Sequence, residues 1–392
     1  MDIHKISFDN TEIAFSSRSD KDLRKTHLLF SVMNNKFIVK TGTYIINLAL
    51  KLKLPVHSLV KGAVFKQFCG GESIEECDQV ISQLQNYNIG AILDYAVEGE
   101  DNEEDFDSTC SEILRAIEKA GKTKNIPFSV FKPTGVASKE LLIKIQEKQP
   151  LTSLEIQHFD NVKQRFDRIC RHAFENNVRL FIDSEESWYQ DVVDELVYEM
   201  MLRYNIDKPI VFNTFQMYRH EMLENLKKAF KKSIEEKFYM GAKLVRGAYM
   251  EKERKRAVEK GYQDPINATK VMTDQAFNDA LEFCIQNINH ISVCCGSHNE
   301  ASNYHMIRLI EKYGLSKNDE RIFSAQLFGM SDHISYNLAS AGYNITKYVP
   351  YGPVEKVIPY LIRRAEENSA IAGQSSRELQ LIKKEINRRK HQ

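Results

Sequence analysis

The sequence of 392 residues has no surplus of charge of either sign: Lys and Arg number 54, and so do Asp and Glu. No basic domain stands apart from the rest, so the chain carries no electrostatic footprint for nucleic acid and no nucleic-acid module is expected. It also lacks any CxxC pair. Its seven cysteines are odd in number and scattered, which points to a reducing, intracellular setting rather than to a disulfide framework. No run comes near the roughly 18 uninterrupted apolar residues that a spanning helix needs. The opening MDIHKISFDNTEIAF has no apolar core and carries Asp2, Asp9 and Glu12, so neither a secretory signal nor an Arg-rich transit peptide is expected.

Three catalytic signatures are missing as well. No GxGxxG opens a helix, which argues against a dinucleotide-binding turn. No GxSxG elbow is present for a serine hydrolase. His298 has only Glu300 near it at ligand spacing, so no metal is expected.

What is present is the profile of a soluble globular protein, 42% hydrophobic and 28% charged. From Asp20 to Gln85 the pattern is helical and ends in GGESIEEC, where Ser73 and Glu76 have the spacing of a capping box. Eight short β-prone runs follow: Ile89 to Tyr95, Phe128 to Lys132, Val178 to Asp183, Ile210 to Gln216, Ala242 to Gly247, Ile291 to His298, Ile322 to Gly329 and Ile345 to Val349. Each is followed by a polar or amphipathic segment of helical length. Buried strands alternating with helices imply a parallel sheet, and eight such units predict an α/β fold, a closed (β/α)8 TIM-like barrel, which the family resemblance given below implies to be distorted. An open doubly wound sheet is the alternative. The organisation expected is a helical region at residues 1–85, a barrel at 86–370 and a C-terminal helix or tail at 371–392.

Several connections invite their own readings. Glu98 to Asp107 reads as a solvated acidic loop, and Pro133 to Asn177 is long enough for more than one helix. The segment from Thr43 to Phe65 mixes apolar residues with Lys51, Lys53 and Lys61. It suits either a packed helix with snorkelling lysines or one lying on an anionic membrane surface.

The stretch ITKYVPYGPVEKVIPYLIRRAEEN, Ile345 to Asn368, reads as strand, tight loop and helix. At about 100° per residue, Val354, Val357, Ile358, Leu361 and Ala365 share the face to be buried. Tyr360, Arg363, Arg364 and Glu367 form a second stripe at i, i+3, i+4 and i+7. Pro359 cannot donate its backbone hydrogen bond, so a helix start close to it or a kink just before Tyr360 is expected. In a barrel, chemistry sits at the C-terminal ends of the strands. Asp94, Lys132, Asp183, Gln216, Arg246, Tyr249, Ser297, His298, Gln326 and Tyr348 stand there. So many polar groups at one rim are costly unless they bind something, and two adjacent guanidiniums suit a carboxylate or a phosphate.

Four stretches carry a closer likeness: KLVRGAYMEKER (Lys243 to Arg254), SHNE (Ser297 to Glu300), QLFGMSDHIS (Gln326 to Ser335) and KYVPYGPVEKVIPYLIRRAEEN (Lys347 to Asn368). With GAILDYAVE, FIDSEES and VFNTFQ in the same order, they resemble the proline dehydrogenase family of flavoenzymes. The resemblance implies a monofunctional, FAD-dependent barrel that oxidises L-proline to Δ1-pyrroline-5-carboxylate by hydride transfer to flavin N5, the first step of proline catabolism. By it, Arg363 and Arg364 grip the substrate carboxylate, while Lys132, Asp183, Tyr249, Leu327, Tyr348 and Tyr360 surround the amino acid. Gln216, Lys243, Val245, Lys270, Ser297, His298 and Glu367 contact FAD. A quinone is the implied electron acceptor, in a cytoplasmic protein for which peripheral association with the inner face of the membrane stays open. Lys243 stands where some bacterial members have arginine, and Ala268 where some have a hydroxyl residue. The alternatives are a hydroxyproline dehydrogenase of the same fold and a non-flavin barrel using Lys132 as a Schiff-base nucleophile.

Overall fold

The computed structural model describes residues 6–51, 61–97, 101–370 and 374–391. Eight parallel strands close in chain order into a barrel: β1 (Gly90–Tyr95), β2 (Phe128–Phe131), β3 (Arg179–Ile182), β4 (Val211–Gln216), β5 (Met240–Val245), β6 (Ile291–Gly296), β7 (Ile322–Leu327) and β8 (Ile345–Tyr351). The expected (β/α)8 architecture is therefore the one found. The strands read as apolar runs because both faces are covered: every residue of β2, β4 and β8 is buried. The helices used below are α1 (Asp20–Met33), α2 (Lys36–Lys51), α3 (Asp78–Gln85), α4 (Glu103–Lys122), α5 (Lys139–Gln146), α6 (Ser153–Glu175), α7 (Ser187–Tyr204), α8 (Met222–Glu235), α9 (Met250–Lys260), α10 (Lys270–Gln286), α11 (Glu300–Lys312), α12 (Asp332–Ser340), α13 (Val354–Ala370) and α14 (Gln374–Lys390). The chain divides into two compact units, residues 1–98 with 326–392 and residues 99–325.

In the second of these units the barrel interior is filled by aromatic rings. Phe128 stacks on Phe181 with centroids 4.3 Å apart, and Phe212 and Phe323 meet Phe128 edge-on at 5.5 and 4.9 Å. Edge-to-face and offset pairs are the arrangements that ring quadrupoles favour. Gly241 makes room for this plug: it lies opposite Phe212 in the ladder, and a Cβ there would stand 2.5 Å from the Phe212 ring. Arg179 at the start of β3 lies over Phe128 and Phe323, at 5.5 and 5.4 Å from the centroids.

The sequence between Pro133 and Asn177 does hold two helices, and α6 opens on a full capping box in which Thr152 and Glu155 exchange side-chain and backbone hydrogen bonds. At Ser73 and Glu76 the box is only half made. Glu76 N donates to Ser73 Oγ at 3.4 Å, but the Glu76 carboxylate accepts from Glu72 N, and the helix starts later, at Asp78. The acidic stretch is not a loop from end to end: α4 begins at Glu103 behind an Asn102 cap. Its acids sit at the positive end of the helix dipole, and two of them hold the buried Arg165, Glu103 at 2.6 Å and Asp107 at 2.7 Å. Of the lysine-bearing segment from Thr43 to Phe65, residues 52–60 lie outside the described residues; among those described, no helix is long and apolar enough to cross a membrane.

The unit formed by residues 1–98 and 326–392 has its own core, in which Phe30, Phe68, Val354, Val357, Ile358 and Leu361 are buried together. The face expected of α13 is thus the face it buries, and the helix runs on through Pro359 from a start at Val354. A buried charge network stands beside this core. Asp332, the first residue of α12, accepts from Lys347 of β8 at 2.9 Å and from Arg18 at 2.8 Å. Burial pushes the Asp332 carboxyl up, but Lys347 and Arg18 outweigh it and hold it at about 2. Its contribution to stability is therefore complete above the ordinary carboxylate range and is lost as pH falls toward the folded value. Asp332→Asn removes the carboxylate shared by the buried Lys347 and the half-buried Arg18 and is expected to cost about 3–5 kcal/mol at neutral pH. Urea unfolding of the variant against wild type measures this, and an unchanged midpoint would refute it.

Candidate active site

The polar residues at the strand ends are built by short, defined turns. In the unit of residues 99–325, Lys132 follows β2 and Asp183 follows β3. Gln216 closes β4, Lys243 lies within β5, and Ser297 follows β6. The structure brings Lys243 and Asp183 together, Nζ to Oδ1 at 2.5 Å, with the ammonium 5.3 Å from the Phe181 centroid. Lys243 is buried, so the carboxylate and the ring face replace the water it has lost.

Gln216 is buried at 2% exposure; its Nε2 donates to Ser184 O at 3.3 Å, and its Oε1 has no hydrogen-bond partner in the structure. A buried amide oxygen without a donor is costly and calls for one. Ser297 is fixed by Arg246, whose Nη1 donates to Ser297 Oγ at 2.8 Å while Nη2 reaches Ser302 Oγ at 3.0 Å and Nε reaches Asp274 at 2.7 Å. Lys270 shares Asp274, at 2.5 Å. Burial raises the Asp274 carboxyl, but Lys270 and Arg246 hold it below its ordinary value. Val245, Tyr249 and His298 are half-buried at the strand ends, and Lys252 of α9 lies 5.3 Å from the Tyr249 ring centroid.

In the unit of residues 1–98 and 326–392, Tyr348 of β8 and Tyr360 of α13 are buried. The carbonyl of Tyr348 accepts from Phe328 N at 2.7 Å, which fixes the turn after Leu327. Arg364 is 7% exposed, its guanidinium 5.1 Å from the Tyr360 ring centroid, while Arg363 is half-buried. Tyr360 therefore serves the apolar core as well as the stripe. The side chain of Glu367 lies outside the described residues.

These details bear on kinship. Residues 77–377 match the family described as proline dehydrogenase. The chain belongs to that family. Among its relatives, "Proline dehydrogenase 1, mitochondrial" of Dictyostelium discoideum is 34% identical over 98% of this chain and 75% of its own length. "Carbapenem antibiotics biosynthesis protein CarD" of Pectobacterium carotovorum subsp. carotovorum is 34% identical over 85% of each chain. "Proline dehydrogenase 1, mitochondrial" of Homo sapiens is 42% identical over 58% of this chain and 38% of its own. Of solved structures, proline utilization A (PutA) from Bdellovibrio bacteriovorus, inactivated by N-propargylglycine, superposes with a TM-score of 0.72 at 20% identity. It covers 92% of this chain and 38% of the larger one, and it speaks for the fold alone.

Sequence reasoning did not single out Glu185, two residues after Asp183. This carboxylate is 5% exposed and accepts from Thr134 twice, from Oγ1 at 2.7 Å and from N at 2.9 Å. It thereby holds the turn that begins at Lys132. Burial pushes its carboxyl up to about 7, with the Thr134 hydrogen bonds and Lys132 opposing and Glu186 adding. The one signal available was the acidic pair in SEES, which reads equally as a solvated helix start.

A carboxyl raised on folding binds more protons in the native state, so its contribution falls as pH rises from the ordinary glutamate range to about 7. Glu185→Gln removes that titration. Measured by urea unfolding, the variant is expected to gain stability relative to wild type between pH 5 and pH 8, and a flat difference would count against it.

Proposed function

We propose that this chain oxidises L-proline to Δ1-pyrroline-5-carboxylate, with FAD as cofactor and a quinone as electron acceptor. The observation that carries the reading is the arginine pair of α13, one member shielded against Tyr360, in a chain of the proline dehydrogenase family. Adjacent guanidiniums, one of them held against an aromatic ring, suit a small amino acid's carboxylate, which they fix in orientation as well as position. Tyr348 and Leu327 supply apolar surface for a pyrrolidine ring. Lys132 and Asp183 offer a cation and an anion to the substrate's own charges, and Tyr249 completes the set. The partnerless Gln216 Oε1 fits a flavin, whose ring carries an N–H donor. Lys243, Val245, Lys270, Ser297, His298 and Glu367 are the other residues proposed to hold it. Bound FAD supplies the hydride acceptor; the protein supplies orientation and charge.

Lys243 is already committed to Asp183, and Lys132 lies near the Glu185 carboxyl, so ion-pairing roles suit both lysines better than a Schiff base does. A cytoplasmic protein, peripheral to the inner face of a membrane where a quinone is reached, belongs to the same proposal.

The purified protein is expected to be yellow and to bleach anaerobically on addition of L-proline. Arg363→Ala and Arg364→Ala should each raise KM for proline roughly 10- to 100-fold, the loss of a charge-assisted hydrogen bond, with flavin content unchanged. Wild-type kinetics in both variants would sink the assignment.

A further inference from the structure

One cleft is lined by none of the residues proposed to hold proline or FAD. Helices α1 and α14 flank this cleft of about 500 Å³, lined by Arg24, His27, Lys383, Ile386, Asn387 and Lys390. The contributions come at helical spacing from both walls: Arg24 and His27 are i, i+3 on α1, while Lys383, Ile386, Asn387 and Lys390 are i, i+3, i+4 and i+7 on α14. No carboxylate lines the cleft.

The rest of α14 shows how unusual this is. Arg388 and Arg389 are both tied to the buried Glu385, at 2.8 and 2.7 Å, Arg389 also reaches Asp20, and Lys384 donates to Asp9 O at 2.7 Å. One face of the helix thus has its cations compensated, whereas among the described residues no carboxylate pairs with Arg24, Lys383 or Lys390 on the cleft face. Like charges facing one another across a concavity repel; Asp20, one turn before Arg24 on α1, lines the adjoining surface with it and pairs with Arg389. The sequence pattern extends the argument. From Leu23 to Gly71 there is no Asp or Glu, against eight Lys or Arg. Leu28, one residue beyond His27, is 66% exposed.

We propose that this cleft binds a phosphate-bearing anion, held by Arg24 and Lys383 from opposite walls with Lys390 and the Asn387 amide completing the oxygen contacts. Arginine takes such oxygens through its planar fork and lysine as a point charge. Two sources share this chemistry, the headgroup of an anionic phospholipid and a soluble phosphate compound. None of the cleft residues belongs to the set proposed to hold proline or FAD, so the site stands or falls independently of the proposed activity.

The test uses the full-length flavoprotein with two probes: pyrophosphate by calorimetry, and co-sedimentation with phosphatidylglycerol against phosphatidylcholine vesicles. The double variant Arg24→Gln/Lys383→Gln is expected to weaken binding roughly 10- to 30-fold, about a factor of five per cation, with proline turnover unchanged. The charge-matched control Lys228→Gln/Lys231→Gln, on α8, should bind as wild type. Cleft-dependent binding of pyrophosphate supports a soluble ligand. Cleft-dependent binding of phosphatidylglycerol vesicles without pyrophosphate supports a headgroup. The proposal is overturned if neither probe binds, if the cleft variant binds as wild type, or if the control loses as much as the cleft variant.

Discussion

A buried ammonium at the C-terminal half of a barrel strand is the constraint around which the strand ends of β2 to β6 are arranged. Lys243 cannot be taken out of water alone, because an unpaired buried charge costs several kcal/mol even after relaxation. Asp183 at 2.5 Å and the face of Phe181 at 5.3 Å make its position tenable. Each of these has its own requirement. Phe181 is held flat by its stack on Phe128, and the neighbouring Phe212 needs Gly241 to leave its ring room. The plug of rings is thus more than filler: it is the floor on which the cation rests. Asp183 lies in the same short connection as Glu185, which grips the turn following Lys132. Lys132 and Asp183, two of the residues proposed to surround proline, are therefore placed by one set of contacts before any ligand arrives, the condition for an orienting site.

The unit containing residues 326–392 solves a like problem with opposite signs. There the buried group at the centre is an acid, Asp332, and two cations from separate segments converge on it. Such a network is weak evidence of net stability but strong evidence of a specified arrangement, since each partner is costly without the others. Its geometry fixes the start of α12 against β8, the strand that carries Tyr348.

The barrel was legible in the sequence because strands covered on both faces must be apolar throughout, and eight such runs leave few topologies. The buried face of α13 was legible for the same reason, a periodicity with a single solution. What escaped notice was polar. Glu185 could not be told from a solvated acid, since burial is a property of the neighbours and not of the residue. The run at Glu103 looked like loop because its acids are dense; its helix follows from an Asn102 cap and from Arg165, which comes from 58 residues beyond Asp107. Arg246 was recognised as a strand-end residue, yet its part as the hub for Ser297, Ser302 and Asp274 depends on α10 and α11 both turning polar groups toward it. Long-range charge pairing is thus where one-dimensional reading fails here, and apolar patterning is where it succeeds.

The same distinction separates the two arginine sets of this chain. Arg388 and Arg389 are bound to a buried glutamate on their own helix, within one turn, and such pairs serve architecture. Arg364 lies against the ring of Tyr360, one turn before it on the same helix. A ring face stabilises a cation without occupying the in-plane N–H donors of its fork, whereas a carboxylate consumes them. Lysine could not substitute at that position, because its ammonium offers no planar fork and is more strongly hydrated.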